Sequence, residues 1–224
     1  MAKVTLFSAR ACPFAHRTRL VLAQKKADFE VVEVDLQNKP ARFLSVSGYG
    51  KVPAIEHDGH HIWESAVINE YLDEVFPKPA LLPADAPGRA VARIWIDWAN
   101  TRFVPSFGAL LRAQTPAAQA TARRDVGEHL AHLEREGLGK FSGHGPFFFG
   151  DRPTLVDFTI YPWFERWPAL DHYRAVSIPK EHERVARWKS ELAKLDAVHA
   201  ESNVTSYYVE RFARHAIPSH QAEA

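Results

Sequence analysis

The chain contains a single cysteine, Cys12, which directly precedes a proline in the stretch ACPFAHRTRLVL. Proline lacks a backbone N–H and has a fixed φ, which suits it to the first turn of a helix, so Pro13 makes Cys12 the N-cap residue. Unpaired amide donors and the helix dipole stabilise a thiolate there, and Arg10, His16 and Arg17 add positive charge nearby. Cys12 is therefore a candidate nucleophile, and the alternative is that it packs as a small apolar residue.

Two later stretches have the residue types of a site for an extended, peptide-like ligand. In GKVPAIEH, Val52 precedes Pro53 at a strand entrance. A cis X-Pro bond would turn the backbone outward there, and a trans proline that opens the strand is the alternative. In WESAV, Glu64 and Ser65 stand where a strand gives way to a helix, so free amides and a hydroxyl would bind a carboxylate while Glu64 binds an ammonium. A plain Ser65 cap is the alternative at this position.

Two lysines flank this predicted cleft, Lys39 in LQNKPARF and Lys51 in GKVP. Both are ordinary solvated lysines by default, and both are placed to neutralise a ligand carboxylate. Ala15 stands where a dithiol enzyme has its second cysteine. Redox chemistry at Cys12 would therefore need an external thiol to resolve a mixed disulfide.

Composition and charge exclude several classes of protein. The 224 residues, 46% hydrophobic and 12% aromatic, are enough to build a core in one large or two small domains. Lys plus Arg number 28 and Asp plus Glu number 27, which gives a formal net charge of +1. The chain therefore lacks the excess of positive charge that is typical of proteins that bind nucleic acid or an anionic membrane. No apolar run approaches the ~18 residues of a spanning helix, and the start has no secretory apolar region. We expect a cytoplasmic protein that acts on a small molecule.

The elements that must position these residues divide at a proline-rich stretch, FPKPALLPADAPG, whose four prolines predict a linker at residues 79–87. Upstream, in residues 1–78, helical patterns alternate with short β-prone runs at 3–7, 29–36, 53–57 and 60–63, which predicts a small mixed sheet. An Asp-Gly pair marks a tight hairpin turn between the last two. Downstream, in residues 88–224, apolar residues recur at helical spacing in several stretches, which predicts an all-helical domain, and the tail after Pro218 is predicted to be disordered.

One helix start in the second part has a specific signature. In RPTLVDF, Thr154 and Asp157 have the spacing of a capping box, in which each side chain satisfies backbone donors. Asp157 is therefore predicted to be a structural residue. The 12 histidines show no metal-binding spacing such as HExxH, and one cysteine excludes a disulfide within the chain. No metal site is expected.

Taken in order, the stretches CPFAHRTRLVL, NKPARF, KVPAIEH, ESAVINEYLDEVFP and LLPAD resemble the thioredoxin-like half of a cytosolic glutathione transferase. TLVDFTIYPWFERW resembles a helix in the second domain of that family. The resemblance is to the Omega class, with a similar pattern in the Lambda class. It implies an α/β N-terminal thioredoxin-like domain, an all-α C-terminal domain and a homodimer.

The resemblance also implies a role for each candidate residue of the first domain. Cys12 would meet the glutathione sulfur, and Val52 would pair with the cysteinyl unit before a cis Pro53. Glu64 and Ser65 would hold the γ-glutamyl end. These roles agree with the chemistry of the residues themselves, which indicates a thiol, a strand-like backbone partner and an anion-binding helix start.

Other candidates are less central to the resemblance. Lys39 would lie near the glycyl carboxylate, with Lys51 and Phe14 as neighbours of the ligand. An acceptor pocket is expected between the domains. Its aromatic candidates, which are alternatively core residues, are Phe103, Phe107, Trp163, Phe164 and Trp167.

A cysteine, in place of the serine or tyrosine of most glutathione transferases, favours thiol exchange over conjugation. The expected activities are thiol transfer, dehydroascorbate reduction and reductive deglutathionylation of aryl-ketone thioethers. Glutathione would be the co-substrate, and the acceptor a hydrophobic or disulfide-type small molecule. One alternative is a conjugating transferase or isomerase, for which the hydroxyls of Ser8 and Thr18 are badly placed. A non-catalytic glutathione-binding module is the other.

Overall fold

A computed structural model of the protein describes residues 3–216, so the tail after Pro218, predicted to be disordered, lies outside the described residues. The chain divides into two compact units, one of Met1–Leu82 with Leu195–Glu201 and the other of Pro83–Lys194 with Ser202–Ala224. The segment 195–201 thus belongs to the first unit, although its position in the sequence assigned it to the helical domain. Within residues 3–216, no helix is long and apolar enough to cross a membrane.

The first unit contains a four-stranded mixed sheet, as the sequence predicts. Its strands are β1 (Val4–Ser8), β2 (Phe29–Glu33), β3 (Ala54–His57) and β4 (His60–Trp63), in the spatial order β2-β1-β3-β4. β1 pairs parallel to β2 and antiparallel to β3, and β3 and β4 form an antiparallel hairpin. β2 is shorter than the predicted run to residue 36, because the Asp35 carboxylate accepts from the N–H of Gln37 and starts a turn.

Helices account for the rest of the regular structure in both units. They are α1 (Pro13–Lys25), α2 (Ala41–Val46), α3 (Ser65–Val75), α4 (Ala86–Trp98), α5 (Val104–Arg112), α6 (Pro116–His132), α7 (Gly139–Phe141), α8 (Leu155–Glu165), α9 (Trp167–Arg174), α10 (Glu183–Ala193), α11 (Asp196–Glu201) and α12 (Thr205–Ala216). Two π-helical segments, Ala99–Phe103 and Leu133–Leu138, follow α4 and α6. α4 begins inside the segment predicted as a linker, because Asp85 caps it through the N–H of Gly88.

The hairpin between β3 and β4 forms where the sequence predicts it. Asp58 and Gly59 both have positive φ, 49° and 77°, as a two-residue primed turn requires. His57 pairs with His60 across this turn, and Ala54 pairs with Trp63 at the other end. The hairpin therefore carries the chain from Pro53 to the start of α3, which are both parts of the candidate site.

The capping box predicted at the start of α8 is present. One oxygen of Asp157 accepts from the N–H and the hydroxyl of Thr154, at 2.7 and 2.8 Å. The other oxygen accepts from the N–H of Phe148 at 2.9 Å and from the indole of Trp188 at 2.6 Å. Burial raises the pKa of this carboxyl, and the hydrogen bonds from Trp188, Phe148 and Thr154 oppose that rise. Asp157 thus joins α8 to α10 and to the preceding loop.

We expect Asp157→Asn to lower the free energy of unfolding by about 2–4 kcal/mol, because the amide NH2 group would face two buried donors. Thr154→Ala, which removes one side of the same capping box, should lower it by only about 1 kcal/mol. Urea denaturation of both variants measures the difference. An Asp157→Asn loss no larger than that of Thr154→Ala would contradict this account of the carboxylate.

Candidate active site

Cys12 is the N-cap residue of α1, with Pro13 as the first helical residue, as the sequence predicts. Its Sγ lies 3.8 Å from the carbonyl oxygen of Val52, to which the thiol donates. The side chain is half-buried against a core cluster that includes Phe7 and Ala15. The sulfur makes no capping bond to the amides of α1, contrary to expectation. A protonated thiol is a donor and turns to a carbonyl, whereas amide donors need an acceptor such as a thiolate.

The peptide bond between Val52 and Pro53 is cis, which confirms the prediction and excludes the trans alternative. The loop before it is held by Ser47, whose hydroxyl accepts from the N–H of Lys51 at 3.0 Å and donates to its carbonyl at 2.8 Å. Gly50 lies within this loop at φ +58°, a conformation that favours glycine. A rigid turn therefore leads to the Val52 backbone beside Cys12.

The start of α3 differs from an ordinary serine-capped helix. Glu64 is the N-cap, at φ 71° and ψ 112°, and makes no side-chain capping bond, while Ser65 is the first helical residue. The plain Ser65 cap is thus excluded. A glutamate at positive φ is strained, and such strain is concentrated at functional sites. The first-turn amides of this 11-residue helix have no intrahelical acceptors, so they are suited to an anion.

A buried cation, Arg17, lies between these parts of the site. Its Nη1 donates to the hydroxyl of Ser65 at 3.3 Å, and its guanidinium carbon lies 5.0 Å from the centre of the Phe14 ring. Burial lowers the pKa of Arg17 to about 9, and the charge of Cys12 partly offsets that effect. The sequence indicated positive charge near the cysteine. The hydrogen bond from Arg17 to Ser65, however, depends on the packing of α1 against α3, which no local sequence pattern shows.

A pocket of about 150 Å³ in the first unit brings most of the predicted ligand-binding residues together. It is lined by Phe14, Ser47, Tyr49, Lys51, Val52, Pro53, Trp63, Glu64 and Ser65. Six of these nine residues are ligand-binding candidates from the sequence analysis. Sequence reasoning missed Ser47, Tyr49 and Trp63, although the turn signal SGYG and the position of Trp63 directly before Glu64 pointed to them.

The aromatic pair of this pocket lies at its exposed edge. The rings of Tyr49 and Trp63 meet edge to face with centroids 6.0 Å apart, and both side chains are exposed. Gly48 allows this approach, because a Cβ there would lie 2.9 Å from the indole of Trp63. Lys39 does not line the pocket. It is exposed on the surface, with its Nζ close to Gly50.

The five aromatic candidates for an acceptor pocket have the packing of core residues. Each is at most 3% exposed, and they are Phe103, Phe107, Trp163, Phe164 and Trp167. The Phe164 ring stacks on Phe103 and Trp167, with centroids 5.7 and 5.3 Å apart. Of the two alternatives that the sequence left open, this burial favours the core.

The hydroxyls considered for a conjugating enzyme are also buried. Ser8 is fully buried and accepts from Nη1 of Arg19 at 2.7 Å, and Thr18 is fully buried on α1. Neither lines the pocket. Among residues 3–216, no three or more His, Cys, Asp or Glu side chains are grouped so that they could hold a metal ion.

Comparison with known proteins agrees with this geometry. Residues 2–74 match the family model of the glutathione S-transferase N-terminal domain, and residues 116–188 match that of its C-terminal domain. Mouse glutathione S-transferase omega-1 is 32% identical over 170 residues, which cover 75% of this chain and 69% of the mouse protein.

Solved structures of the same family superpose on most of the chain. Glutathione transferase Omega 3C from Trametes versicolor is 26% identical with a TM-score of 0.83, and the match covers 100% of this chain and 94% of the fungal one. Rice GST1 is 29% identical with a TM-score of 0.85, and the match covers 95% of each chain. The chain is therefore an Omega-like member of the glutathione S-transferase family.

Proposed function

We propose that this protein is a glutathione-dependent thiol transferase and reductase, in which Cys12 forms a mixed disulfide with glutathione. The observation that carries the proposal is a thiol at a helix N-cap, 3.8 Å from the Val52 carbonyl and beside a pocket that Glu64 and Ser65 also line. The rice relative was solved in complex with glutathione, which supports the same ligand here.

The pocket residues match the parts of glutathione. The backbone of Val52 would pair with the cysteinyl unit, in the manner of a strand added to a sheet. The amides at the start of α3 and the Ser65 hydroxyl would bind the γ-glutamyl carboxylate, and the Glu64 carboxylate would bind its ammonium. Lys51, and Lys39 near the same loop, would neutralise the glycyl carboxylate.

With a glutathione mixed disulfide, the Cys12 thiolate attacks the glutathionyl sulfur. A new disulfide forms between Cys12 and glutathione, the old sulfur–sulfur bond breaks, and the acceptor leaves as a thiolate that takes up a proton. A second glutathione thiolate then attacks the glutathionyl sulfur of the enzyme. Oxidised glutathione leaves and the Cys12 thiolate is restored.

The same nucleophile serves two further substrate classes. With an aryl-ketone thioether of glutathione, attack on sulfur breaks the carbon–sulfur bond, and the ketone leaves as an enolate that takes up a proton. With dehydroascorbate, two glutathione molecules supply two electrons and two protons and leave as the disulfide. Reduction of dehydroascorbate consumes two free glutathione molecules for each turnover. The thioether consumes one, which leaves as the disulfide with the glutathionyl group of the substrate.

We also propose that the protein acts in the cytoplasm as a homodimer, as the family resemblance implies. Val67 on α3 and Ile94 on α4 are large apolar side chains that stand exposed in their units. A partner subunit that covers them would remove apolar area from water.

An activity panel with glutathione tests the proposed function. We expect turnover with hydroxyethyl disulfide, dehydroascorbate and a phenacyl-glutathione thioether to exceed that with a chloronitrobenzene by at least about tenfold, because a thiol nucleophile favours exchange. Dominant conjugation would identify a conjugating transferase. Glutathione binding without turnover on any of the four would identify a binding module, and either result would overturn the proposal.

A further inference from the structure

The turn that carries Cys12 is held by ionisable side chains from other elements. The N–H of Cys12 donates to the carbonyl of Ala9 at 2.9 Å and closes the turn between β1 and α1. Within it, the N–H of Arg10 donates to Oε1 of Glu33 at 2.7 Å, and its carbonyl accepts from Nη2 of Arg19 at 3.2 Å. Both backbone groups of Arg10 are thus fixed, two residues before the candidate nucleophile.

Arg19 is itself oriented by two further groups. The residue is 2% exposed, and its Nη1 donates to the hydroxyl of Ser8 at 2.7 Å. Its Nε lies 3.0 Å from Oε2 of Glu201, whose side chain is 14% exposed. The same oxygen lies 3.6 Å from Nη1 of Arg10. Loss of this carboxylate would remove a negative charge that lies against a buried guanidinium, which is unfavourable.

The position of Glu201 does not depend on these ion pairs alone. It is the last residue of α11, the short helix by which the far end of the chain contributes to the first unit. α11 packs on α1, and its Ala197 and Val198 are buried. The carboxylate is therefore presented to Arg19 by apolar packing, before any charge interaction is counted.

We propose that Arg19 and Glu201 are positioning residues for Cys12. Glu201 orients Arg19, and Arg19 holds the Arg10 carbonyl, so the pair sets where the Cys12 sulfur lies relative to a ligand paired with Val52. Neither residue lines the pocket, and the proposed partners of the cysteinyl and γ-glutamyl units, Val52, Glu64 and Ser65, lie outside α1 and α11. Loss of the pair should therefore reduce turnover and leave the affinity for glutathione nearly unchanged. The inference rests on the proposed function and extends it to the far end of the chain.

Glu201→Gln tests this role, because it removes the charge and keeps the size. We expect kcat for hydroxyethyl disulfide to fall about tenfold or more, since small misplacements of a reacting group are costly, while KM for glutathione changes less than about twofold. Glu201→Asp, which keeps the charge, should recover most of the lost kcat. Electrostatics alone would act in the other direction, because removing a negative charge near a thiol favours its thiolate form. A fall in kcat therefore separates positioning from simple electrostatics.

Glu210→Gln is the matched control, because it removes the same charge from an exposed position on α12. Hydrogen exchange of the backbone at residues 9–12 supplies a readout that needs no catalysis, and we expect it to be faster in Glu201→Gln than in the control. Arg19→Lys is the second variant, since an ammonium cannot reach the Ser8, Arg10 and Glu201 groups together.

The proposal is overturned if Glu201→Gln and Arg19→Lys both have the same kcat as Glu210→Gln and the same rate of hydrogen exchange at residues 9–12. This holds even where their melting temperatures are lower. Such a result would make the pair purely structural. Failure of the proposed function looks different, because the wild-type protein would then show no thiol-exchange turnover. In that case the exchange of residues 9–12 in the variants still decides whether Arg19 and Glu201 hold the Cys12 turn.

Discussion

Cys12→Ser is expected to abolish thiol exchange, with turnover of hydroxyethyl disulfide at least about 1,000-fold lower, because a hydroxyl cannot form the mixed disulfide through which the proposed reaction runs. Glutathione affinity should stay within about threefold of wild type, since the pocket groups of Val52, Glu64 and Ser65 are untouched. The measurements are turnover per folded protein, glutathione affinity and melting temperature.

Cys12→Ala is the matched control for the serine variant. Both lose the thiol, and only serine offers a hydroxyl that can stabilise the glutathione thiolate. We therefore expect weak conjugation of a chloronitrobenzene to appear or rise in Cys12→Ser and not in Cys12→Ala. Mass-verified alkylation of Cys12 in the wild type should abolish thiol exchange to the same extent, because the free thiolate is the proposed nucleophile.

The packing alternative for Cys12 predicts a different pattern. A hydroxyl in a partly apolar site would lower the free energy of unfolding by about 1–3 kcal/mol if it found no partner, with turnover per folded molecule retained. The half-buried contact of Cys12 with the cluster around Phe7 makes some loss of stability compatible with either role. Turnover is therefore the deciding measurement, and wild-type turnover in Cys12→Ser would disprove the mechanism.

The second large effect is expected at the start of α3. Glu64→Gln removes the charge that faces the γ-glutamyl ammonium, and Ser65→Ala removes a hydroxyl donor to its carboxylate. We expect each to raise KM for glutathione about 10- to 100-fold, because a hydrogen bond to a charged group contributes about 1.5–3 kcal/mol. kcat at saturating glutathione should change less than about threefold, since Cys12 and its turn are unaltered.

Stability separates the two α3 variants from each other. Glu64 is exposed, so its replacement should leave the melting temperature unchanged, whereas Ser65→Ala removes the acceptor of Arg17 Nη1 and should lower it. Glu74→Gln, which removes the same charge from an exposed position on α3, should change neither KM nor stability. Unchanged KM in both Glu64→Gln and Ser65→Ala would remove this helix start from the glutathione site.

These two sets of variants probe two parts of the same ligand, its γ-glutamyl end and its cysteinyl sulfur. The α3 variants act through binding and the Cys12 variants through the chemical step, so KM and kcat should respond separately. Variants of Arg19 and Glu201 belong with Cys12 in this division, although Glu201 lies far from it in sequence. A shift of KM alone in Glu201→Gln would therefore place that residue with glutathione binding and not with the chemical step.

Features determined by neighbouring residues could be predicted from the sequence alone. Pro13 after Cys12 sets a helix start, Asp58 before Gly59 sets a hairpin turn, and Thr154 and Asp157 set a capping box. Each depends on the dihedral limits or hydrogen bonds of residues at most a few positions apart. These signals, together with the family resemblance of the stretches that contain them, were enough for the fold and for six of the nine pocket residues.

Features that depend on elements far apart in sequence were decided only by the tertiary structure. The aromatic candidates of α8 and its neighbours have the composition of a binding pocket, yet Phe164 and Trp167 stack within a core. The hydrogen bond from Arg17 to Ser65 exists because α1 packs on α3. A sequence pattern shows which residues are apolar or charged, but burial and pairing depend on what the opposite element presents.

Glu201 is the clearest instance of this limit. In sequence it is one acidic residue among 27 Asp and Glu, at the end of a short helix in the part of the chain assigned to the second domain. Only the return of α11 to the first unit brings its carboxylate to Arg19 and Arg10. The sequence by itself predicted the candidate nucleophile, its helix and the candidate ligand-binding backbone, because these are local. The charges of Arg10, Arg19 and Glu201, which we propose to position it, come together only through long-range packing.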